Sequence, residues 1–323
     1  MYSKLSPIKK AIHFIPIPLV WGIIYVNFSC TFQYFCFNES AMKTYPLSKF
    51  CINIIFYWCS IMTLICHTLS IITNPGSVNQ SIVNHLKPKD KNFCKKCKLE
   101  RPARAHHCST CGICILKMDH HCPWIFNCVG FNNQKLFFQF LTYATIGDAI
   151  ACGCLVSRII DDSFLEMLLH PRGMIDKRKN IYFQLFKLLK DPLWILMGAL
   201  LSFAMTLAIG SLFFTQLYLI SRNITNVETA IYENNDQCPY YAYKDRWFMF
   251  KTVIGLGSRW KWFIPVMEKN KYNGGYTFET PYPRLYKEEK PDKKQKESDI
   301  QEGNDDNNGK KKKHKHKPWY KIC

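Results

Sequence analysis

Acidic residues are scarce in this chain. Its 323 residues carry 24 Asp and Glu against 43 Lys and Arg, a formal charge of +19. The basic charge is too scattered to imply nucleic acid, and a surface of anionic lipid satisfies it equally well. A cleavage site is lacking too: no small-x-small sequence follows the first apolar run, from Ala11 to about Phe35. That run is therefore expected to stay as a membrane span rather than leave as a signal peptide. No repeated span architecture is visible, which argues against a transporter.

Long apolar runs are present. After the first come Leu47 to Ile72, Leu136 to Ile160 and Pro192 to Ile220. Each has at least about the 20 residues that cross a ~30 Å hydrocarbon core. Asp148 lies inside the third, and an intramembrane carboxylate is expected to face a protein interior or a cavity. Lys and Arg orient the spans. Ten basic residues lie between the second and third runs, whereas the first loop has only Lys43. The third loop mixes six basic with five acidic residues, and the tail after Ser221 is strongly basic. Both termini and the segment between spans two and three are thus expected on the cytoplasmic side. Residues 181–190 read as a short amphipathic helix on the opposite membrane surface, near a possible glycosylation sequon at Asn38–Ser40. Residues 287–317 are expected to be disordered, with Lys310 to Lys317 available to anionic lipid.

The 16 cysteines are not spread as in a secreted disulfide scaffold. Seven fall between Cys94 and Cys128, with Cys-x2-Cys spacings and histidines among them. This pattern reads as metal binding in a reducing compartment. Cys94-x2-Cys97-x9-His107-x6-Cys114 is repeated fourteen residues later as Cys108-x2-Cys111-x9-His121-x6-Cys128. Each copy supplies three sulfurs and one imidazole, a closed tetrahedral set of the structural-zinc kind. Two structural Zn2+ ions are the expectation.

The seventh cysteine, Cys122, starts a third copy that has Ile125 where its partner should be, so no zinc needs it. His106 and His120 correspond in the repeat, but Ala105 is replaced by Asp119, so only the second copy has a carboxylate before its histidine pair. Those residue types support Cys122 as nucleophile, His120 as its base and Asp119 as the group that orients the imidazole. The bland alternative is a spare buried thiol beside a structural histidine.

Asp119-His120-His121-Cys122-Pro123-Trp124, followed by Asn127-Cys128-Val129-Gly130 and Asn132-Asn133 and preceded by Arg101-Pro102 and His106-His107-Cys108, resembles the DHHC-type protein S-acyltransferases. The resemblance runs from Cys94 to about Phe138. It implies an all-α integral membrane protein of four transmembrane helices, with a cytoplasmic double-zinc domain between helices 2 and 3. The implied layout is a cytoplasmic N-terminus over 1–10, spans one and two over 11–72, the zinc domain over 73–135, and spans three and four over 136–220. A cytoplasmic C-terminal region over 221–286 and a basic tail over 287–323 complete it.

It also implies a ping-pong reaction. Cys122 takes a fatty acyl group from palmitoyl-CoA and passes it to cysteines of proteins at the membrane, with Asp119 and His120 assisting. Partners would be the bilayer, acyl-CoA and protein substrates with membrane-proximal cysteines, with no nucleic acid; Golgi or endoplasmic reticulum is the implied location. The competing reading is a non-catalytic, zinc-stabilised membrane adaptor.

Arg101, Arg104, Lys117 and Lys135 are candidates for the coenzyme phosphates, though each can equally be a solvated surface charge. Trp124 and the nearby Phe126, Phe131, Phe137 and Phe138 can seat the domain at the bilayer or pack its core. Ala144, Gly147 and Ala151 form a small-residue stripe, read as close helix packing or, at Gly147, as room at the bottom of an acyl cavity. Three positions depart from the family's pattern. Asn74 stands for Asp before Pro75-Gly76, Asn226 for the second Thr of a Thr-Thr-x-Glu motif, and Met249 for an Asn beyond Cys238-Pro239-Tyr240.

Overall fold

The computed structural model describes residues 14–37, 46–79, 92–160, 181–235 and 245–266. The sequon, residues 161–180, Cys238–Tyr240 and the basic tail lie outside the described residues, and so do the side chains of 181–192.

Helices make up most of the described chain: α1 (Pro16–Phe37), α2 (Pro46–Ile72), α3 (Gln134–Ile160), α4 (Ile181–Arg222), α5 (Asn226–Asn235) and α6 (Arg246–Ile254). Three stretches are long and apolar enough to cross a membrane, Phe50–Ile72, Gln134–Ile160 and Leu193–Arg222. In α1 the qualifying apolar stretch, Pro16–Ser29, is shorter. Residues 181–190 are helical as expected, but they run without a break into α4 instead of forming a separate element. Large apolar side chains such as Tyr25, Phe50, Ile61, Phe203 and Phe214 point outward, as lipid-facing surfaces require. Inside the bundle α3 is the hub, packed against α2 and α4 along its length and touching α1.

The expectation of an all-helical chain fails at the cysteine segment. It folds as three antiparallel hairpins: β1 (Asn92–Cys94) with β2 (Leu99–Arg101), β3 (His106–Cys108) with β4 (Ile113–Ile115), and β5 (His120–Cys122) with β6 (Asn127–Val129). Their first strands begin at 92, 106 and 120, so the fourteen-residue repeat is one hairpin used three times. The turns repeat as well. Lys98, Gly112 and Phe126, again fourteen apart, all take left-handed backbone with φ of 54°, 73° and 47°. A Cys-x2-Cys turn folds its amides back onto the first sulfur: Cys97 N–H points at Cys94 Sγ (3.4 Å) and Cys111 N–H at Cys108 Sγ (3.3 Å). That local demand overrides helix formation.

The hairpins are fastened to the helices by asparagines. Asn127 Nδ2 donates to the carbonyls of Ser70, Ile71 and Thr73, the open C-terminus of α2, where helix carbonyls otherwise lack partners. Asn133 Nδ2 bonds Cys128 O and Ser70 O, while its Oδ1 receives Gly130 N–H. At Gly130 a side chain does not fit, since a Cβ would lie 2.6 Å from Pro75 O and from Ile115 Cγ2. Asn74 Oδ1 accepts from Gly76 N–H, Ser77 N–H and Ser77 Oγ–H, so the amide oxygen supports the turn without a carboxylate.

At the other end α4 stops at Asn223, which is left-handed (φ 55°). Thr225 then caps α5 in a reciprocal box: Thr225 N–H donates to Glu228 Oε2 (3.0 Å) and Glu228 N–H to Thr225 Oγ1 (3.2 Å). Asp245 caps α6 through Phe248 N–H (2.9 Å). Met249, in the position noted as a departure, is fully buried on α6.

Candidate active site and metal clusters

The three hairpins bring two ligand sets together as the spacing predicts, each set shared between neighbouring hairpins. Cys94, Cys97, His107 and Cys114 form one group, and Cys108, Cys111, His121 and Cys128 the other, with all donor atoms in each within 4.8 Å. In the second, His121 Nδ1 lies 3.7 Å from Cys108 Sγ and 3.5 Å from Cys111 Sγ and Cys128 Sγ, and Cys111 and Cys128 sulfurs are 3.5 Å apart. In the first, Cys97 Sγ is 3.1 Å from His107 Nδ1 and 3.7 Å from Cys114 Sγ. A tetrahedron with Zn–S of about 2.3 Å and Zn–N of about 2.0 Å has edges of roughly 3.5–3.8 Å, so both donor sets fit a zinc ion.

The third hairpin supplies His121 and Cys128 to the second set but starts no third set of its own. Cys122 pairs with Asn127 in the register in which Cys108 pairs with Ile113 and Cys94 with Leu99. It therefore stands where a new Cys-x2-Cys pair would start, but the second cysteine is missing, because Ile125 is buried in apolar core at that position. Two residues earlier, His120 Nδ1 meets Asp119 Oδ2 at 2.7 Å, and the Cys122 sulfur also acts on the imidazole. Burial disfavours the imidazolium, but the Asp119 hydrogen bond and charge, with the Cys122 sulfur, outweigh it and hold His120 up at about 10. The Phe137 ring packs edge-on against it at 5.3 Å.

Asp119 is 1% exposed and enclosed by donors from elements about a hundred residues away. Asn226 gives its backbone N–H to Oδ1 and its side-chain amide to Oδ2, both at 2.8 Å, and Gln216 Nε2 donates to Oδ2 at 2.8 Å. Burial pushes this carboxyl up, but the His120 bond and charge, the Asn226 N–H and Gln216 together bring it below its usual range. Asn226 thus occupies the departure from the family's motif without leaving the carboxylate unsupported. Gln216 escaped the sequence reading, although a lone polar amide in an apolar span was a signal of the same kind as Asp148.

Three of the four candidate phosphate-binding cations are not open to a ligand. Arg104 is 5% exposed and grips Glu228 through Nε and Nη2, and Asn223 through Nη1 (3.1 Å) and its carbonyl (2.8 Å). Lys117 donates to Gln134 Oε1 at 3.0 Å; burial, with Arg104 nearby, pulls its ammonium down to about 7. Lys135 Nζ donates to the carbonyls of Lys261 (2.9 Å) and Val266 (2.8 Å). Their charges act as fold braces, which one-dimensional sequence does not reveal. Arg101 stays half-exposed on β2. Of the aromatics, Phe131, Phe137 and Phe138 are core, while Trp124 is 47% exposed.

An apolar cavity opens within the helices. Cys122, Trp124 and Phe137 line one end; Leu141 and Ala144 follow along α3 to Gly147, Asp148 and Asn27. From Phe137 to Asp148 the helix rises about 16 Å. At the far end Asn27 Nδ2 donates to Asp148 Oδ1 (2.6 Å) and Ser202 Oγ to Asn27 Oδ1 (3.0 Å). Asp148 thus faces an interior cavity, as its position in the span predicts. Gly147 is among the residues that line the cavity, and a Cβ there would meet Cys59 Cβ of α2 at 3.6 Å.

Comparison with known proteins agrees with this geometry. A family model described as DHHC palmitoyltransferase matches residues 87–233. The chain is similar to "Probable protein S-acyltransferase 13" of Arabidopsis thaliana, with 29% identity over 231 residues, 65% of this chain and 70% of that protein. It is 30% identical to Palmitoyltransferase ZDHHC7 of Mus musculus over 224 residues, 66% of each. To Palmitoyltransferase ZDHHC15 of Homo sapiens it is 38% identical over 136 residues, 42% of this chain and 35% of that protein.

Proposed function

The chain belongs to the DHHC palmitoyltransferase family and is a protein-cysteine S-acyltransferase, and from that premise we propose that Cys122 carries the acyl group, with His120 and Asp119 as its activating pair and palmitoyl-CoA as donor. The observation that carries this reading is the third hairpin. Beside His121 and Cys128 of the second metal set it presents a thiol that neither set uses, two residues from His120, itself bonded to Asp119, at one end of an apolar cavity.

The chemistry follows from that arrangement. His120 is placed to take the proton of the Cys122 thiol. The sulfur attacks the thioester carbonyl of acyl-CoA, the bond from that carbon to the coenzyme sulfur breaks, and the departing thiolate takes the proton from His120. A substrate cysteine then gives its proton to His120 and attacks acyl-Cys122, and Cys122 leaves as thiolate. One thioester replaces another, so no further energy source is needed. Asp119 stays ionised and holds the imidazolium in place.

Two zinc ions bound by Cys94, Cys97, His107, Cys114 and by Cys108, Cys111, His121, Cys128 would fix the hairpins that present this pair; their role is structural. An all-trans chain advances about 1.25 Å per carbon from its ~1.5 Å bonds. The ~16 Å from Phe137 to Asp148 thus accommodates about 13 carbons beyond the thioester, with Trp124 beside its entry and Gly147 near its end. Of the four cations, Arg101 is retained for the coenzyme phosphates, because the other three are engaged within the fold.

The four-span layout, with α1 as the first span, both termini and residues 73–135 on the cytoplasmic side, is part of the same proposal. It is supported by the basic charge between the second and third spans and by thiols that need a reducing compartment. The boundaries 1–10, 11–72, 136–220, 221–286 and 287–323, a Golgi or endoplasmic reticulum membrane, and substrates with membrane-proximal cysteines complete the proposal.

The test is incubation of the full chain with labelled palmitoyl-CoA. Hydroxylamine-sensitive label is expected on the wild type and absent from Cys122→Ser, with two zinc ions per chain in both. Equal label in the two would falsify the assignment of Cys122 and favour the adaptor reading.

A further inference from the structure

His67 is buried completely within α2, an ionisable side chain in an apolar helix that neither zinc cluster nor the Asp119–His120 pair uses. Both its ring nitrogens are engaged. The Trp21 indole Nε1–H on α1 donates to His67 Nδ1 at 3.1 Å, and His67 Nε2 lies 3.0 Å from the carbonyl oxygen of Trp124. An indole nitrogen can only donate, so Nδ1 must be bare. The imidazole is then neutral with its proton on Nε2, and that proton is donated to Trp124. The tautomer follows from the two partners, and the Phe140 ring, 5.1 Å away, closes the remaining side.

The accepting carbonyl belongs to the short turn Pro123–Ile125, for which Cys122 is the N-terminal cap. Pro123 O in that turn is already taken by Phe126 N–H (3.1 Å). The Trp124 side chain lines the same end of the cavity as Cys122. A carbonyl left unpaired in an apolar interior is costly, and the turn would rotate to find a partner. That rotation would move Trp124 relative to the sulfur at the place where an acyl chain must enter.

We infer that His67 is a positioning residue for acyl transfer: its Nε2–H, in a tautomer fixed by Trp21, holds the Trp124 carbonyl and so the entry of the acyl chain beside Cys122. The inference rests on Cys122 being the acylated residue. It assigns His67 no part in generating the thiolate, which Asp119 and His120 supply. Misplacement of a reacting group by about 1 Å can cost on the order of 100-fold in rate, so the effect belongs in acylation by a long-chain donor and not in the intrinsic reactivity of the sulfur.

The side-chain amide nitrogen of glutamine reaches about where Nε2 stands, whereas that of asparagine is one carbon short. Single-turnover acylation of the full chain by palmitoyl-CoA should fall about tenfold or more in His67→Phe and His67→Asn but stay within about threefold of wild type in His67→Gln. Trp21→Phe should slow the wild type and have little further effect in the His67→Gln background. Alkylation of Cys122 by iodoacetamide, read on its peptide by mass, should change by no more than about twofold in every variant, with two zinc ions retained. Wild-type acylation by His67→Asn with zinc intact overturns the inference, as does a loss in His67→Gln equal to that in His67→Phe. So does a parallel fall in alkylation. Should His67→Phe fail to fold, the Asn and Gln pair decides. A wild type unlabelled at Cys122 would instead refute the assignment of the acylated residue.

Discussion

Removing the donors that enclose Asp119 should disable acyl transfer while leaving the metal clusters whole. The carboxylate is buried and receives two bonds from Asn226, one from Gln216 and one from His120. Asn226→Ala keeps the backbone N–H on Oδ1 and deletes the amide on Oδ2; Gln216→Leu deletes the second amide on the same oxygen. A hydrogen bond to a charged group contributes about 1.5–3 kcal/mol, which at about 1.4 kcal/mol per decade corresponds to roughly 10- to 150-fold if it is expressed in the transition state. With fewer donors, burial raises the carboxyl toward its neutral form, and its hold on the His120 imidazolium weakens. Each single variant is therefore expected to lose about 10-fold or more in single-turnover acylation by labelled palmitoyl-CoA. The double variant, left with His120 alone on Oδ2, should lose more, with a coupling measured by the double-mutant cycle. Zinc should remain at two per chain throughout. Acylation within about threefold of wild type in the double variant would refute the idea that these amides sustain the ionised Asp119.

Other consequences can be tested independently. Arg104→Met leaves Glu228 buried without its cation, and breaking such a pair costs about 3–5 kcal/mol; thermal unfolding should show a clear loss of stability, whereas Arg101→Met should unfold near the wild-type temperature. Gly147→Phe places a ring in the cavity wall and should shift the preferred acyl-CoA to shorter chains; an unchanged chain-length profile would rule out Gly147 as part of that wall. Cys97→Ser and Cys111→Ser should each lose zinc and, with it, acylation, read by metal analysis and label incorporation on the same sample. A variant that acylates normally with one zinc missing would contradict the structural role given to the clusters.

The fourteen-residue repeat was legible in the sequence because metal ligation is a short-range constraint. Cys-x2-Cys and the histidine ten residues beyond it need only the turn and strand of one hairpin, plus its neighbour, to meet. The same spacing isolated Cys122 and distinguished Asp119 from Ala105. Apolar run lengths marked the helices Pro46–Ile72 and Gln134–Ile160 within two residues of their observed ends, since burial in hydrocarbon depends on the run itself. The hairpins themselves were not anticipated: with strands of three residues, the segment has too little periodicity to declare a strand.

What the tertiary structure decided is the company these residues keep. Arg104, Lys117 and Lys135 read as open cations, and packing turned each inward to a partner up to 131 residues away. Asn226 read as a weakened motif and proved to give Asp119 two bonds. Gln216 and His67 belong to no motif that marks them in the sequence. Their roles depend on which face of α4 and α2 meets the hairpins, and that choice is made by side-chain packing between distant helices, which leaves no periodic trace in the chain. The sequence by itself determined which residues could hold metal and which thiol is left over; only the assembled helices determined how the Asp119–His120 pair beside that thiol is held, and that an apolar cavity opens next to it.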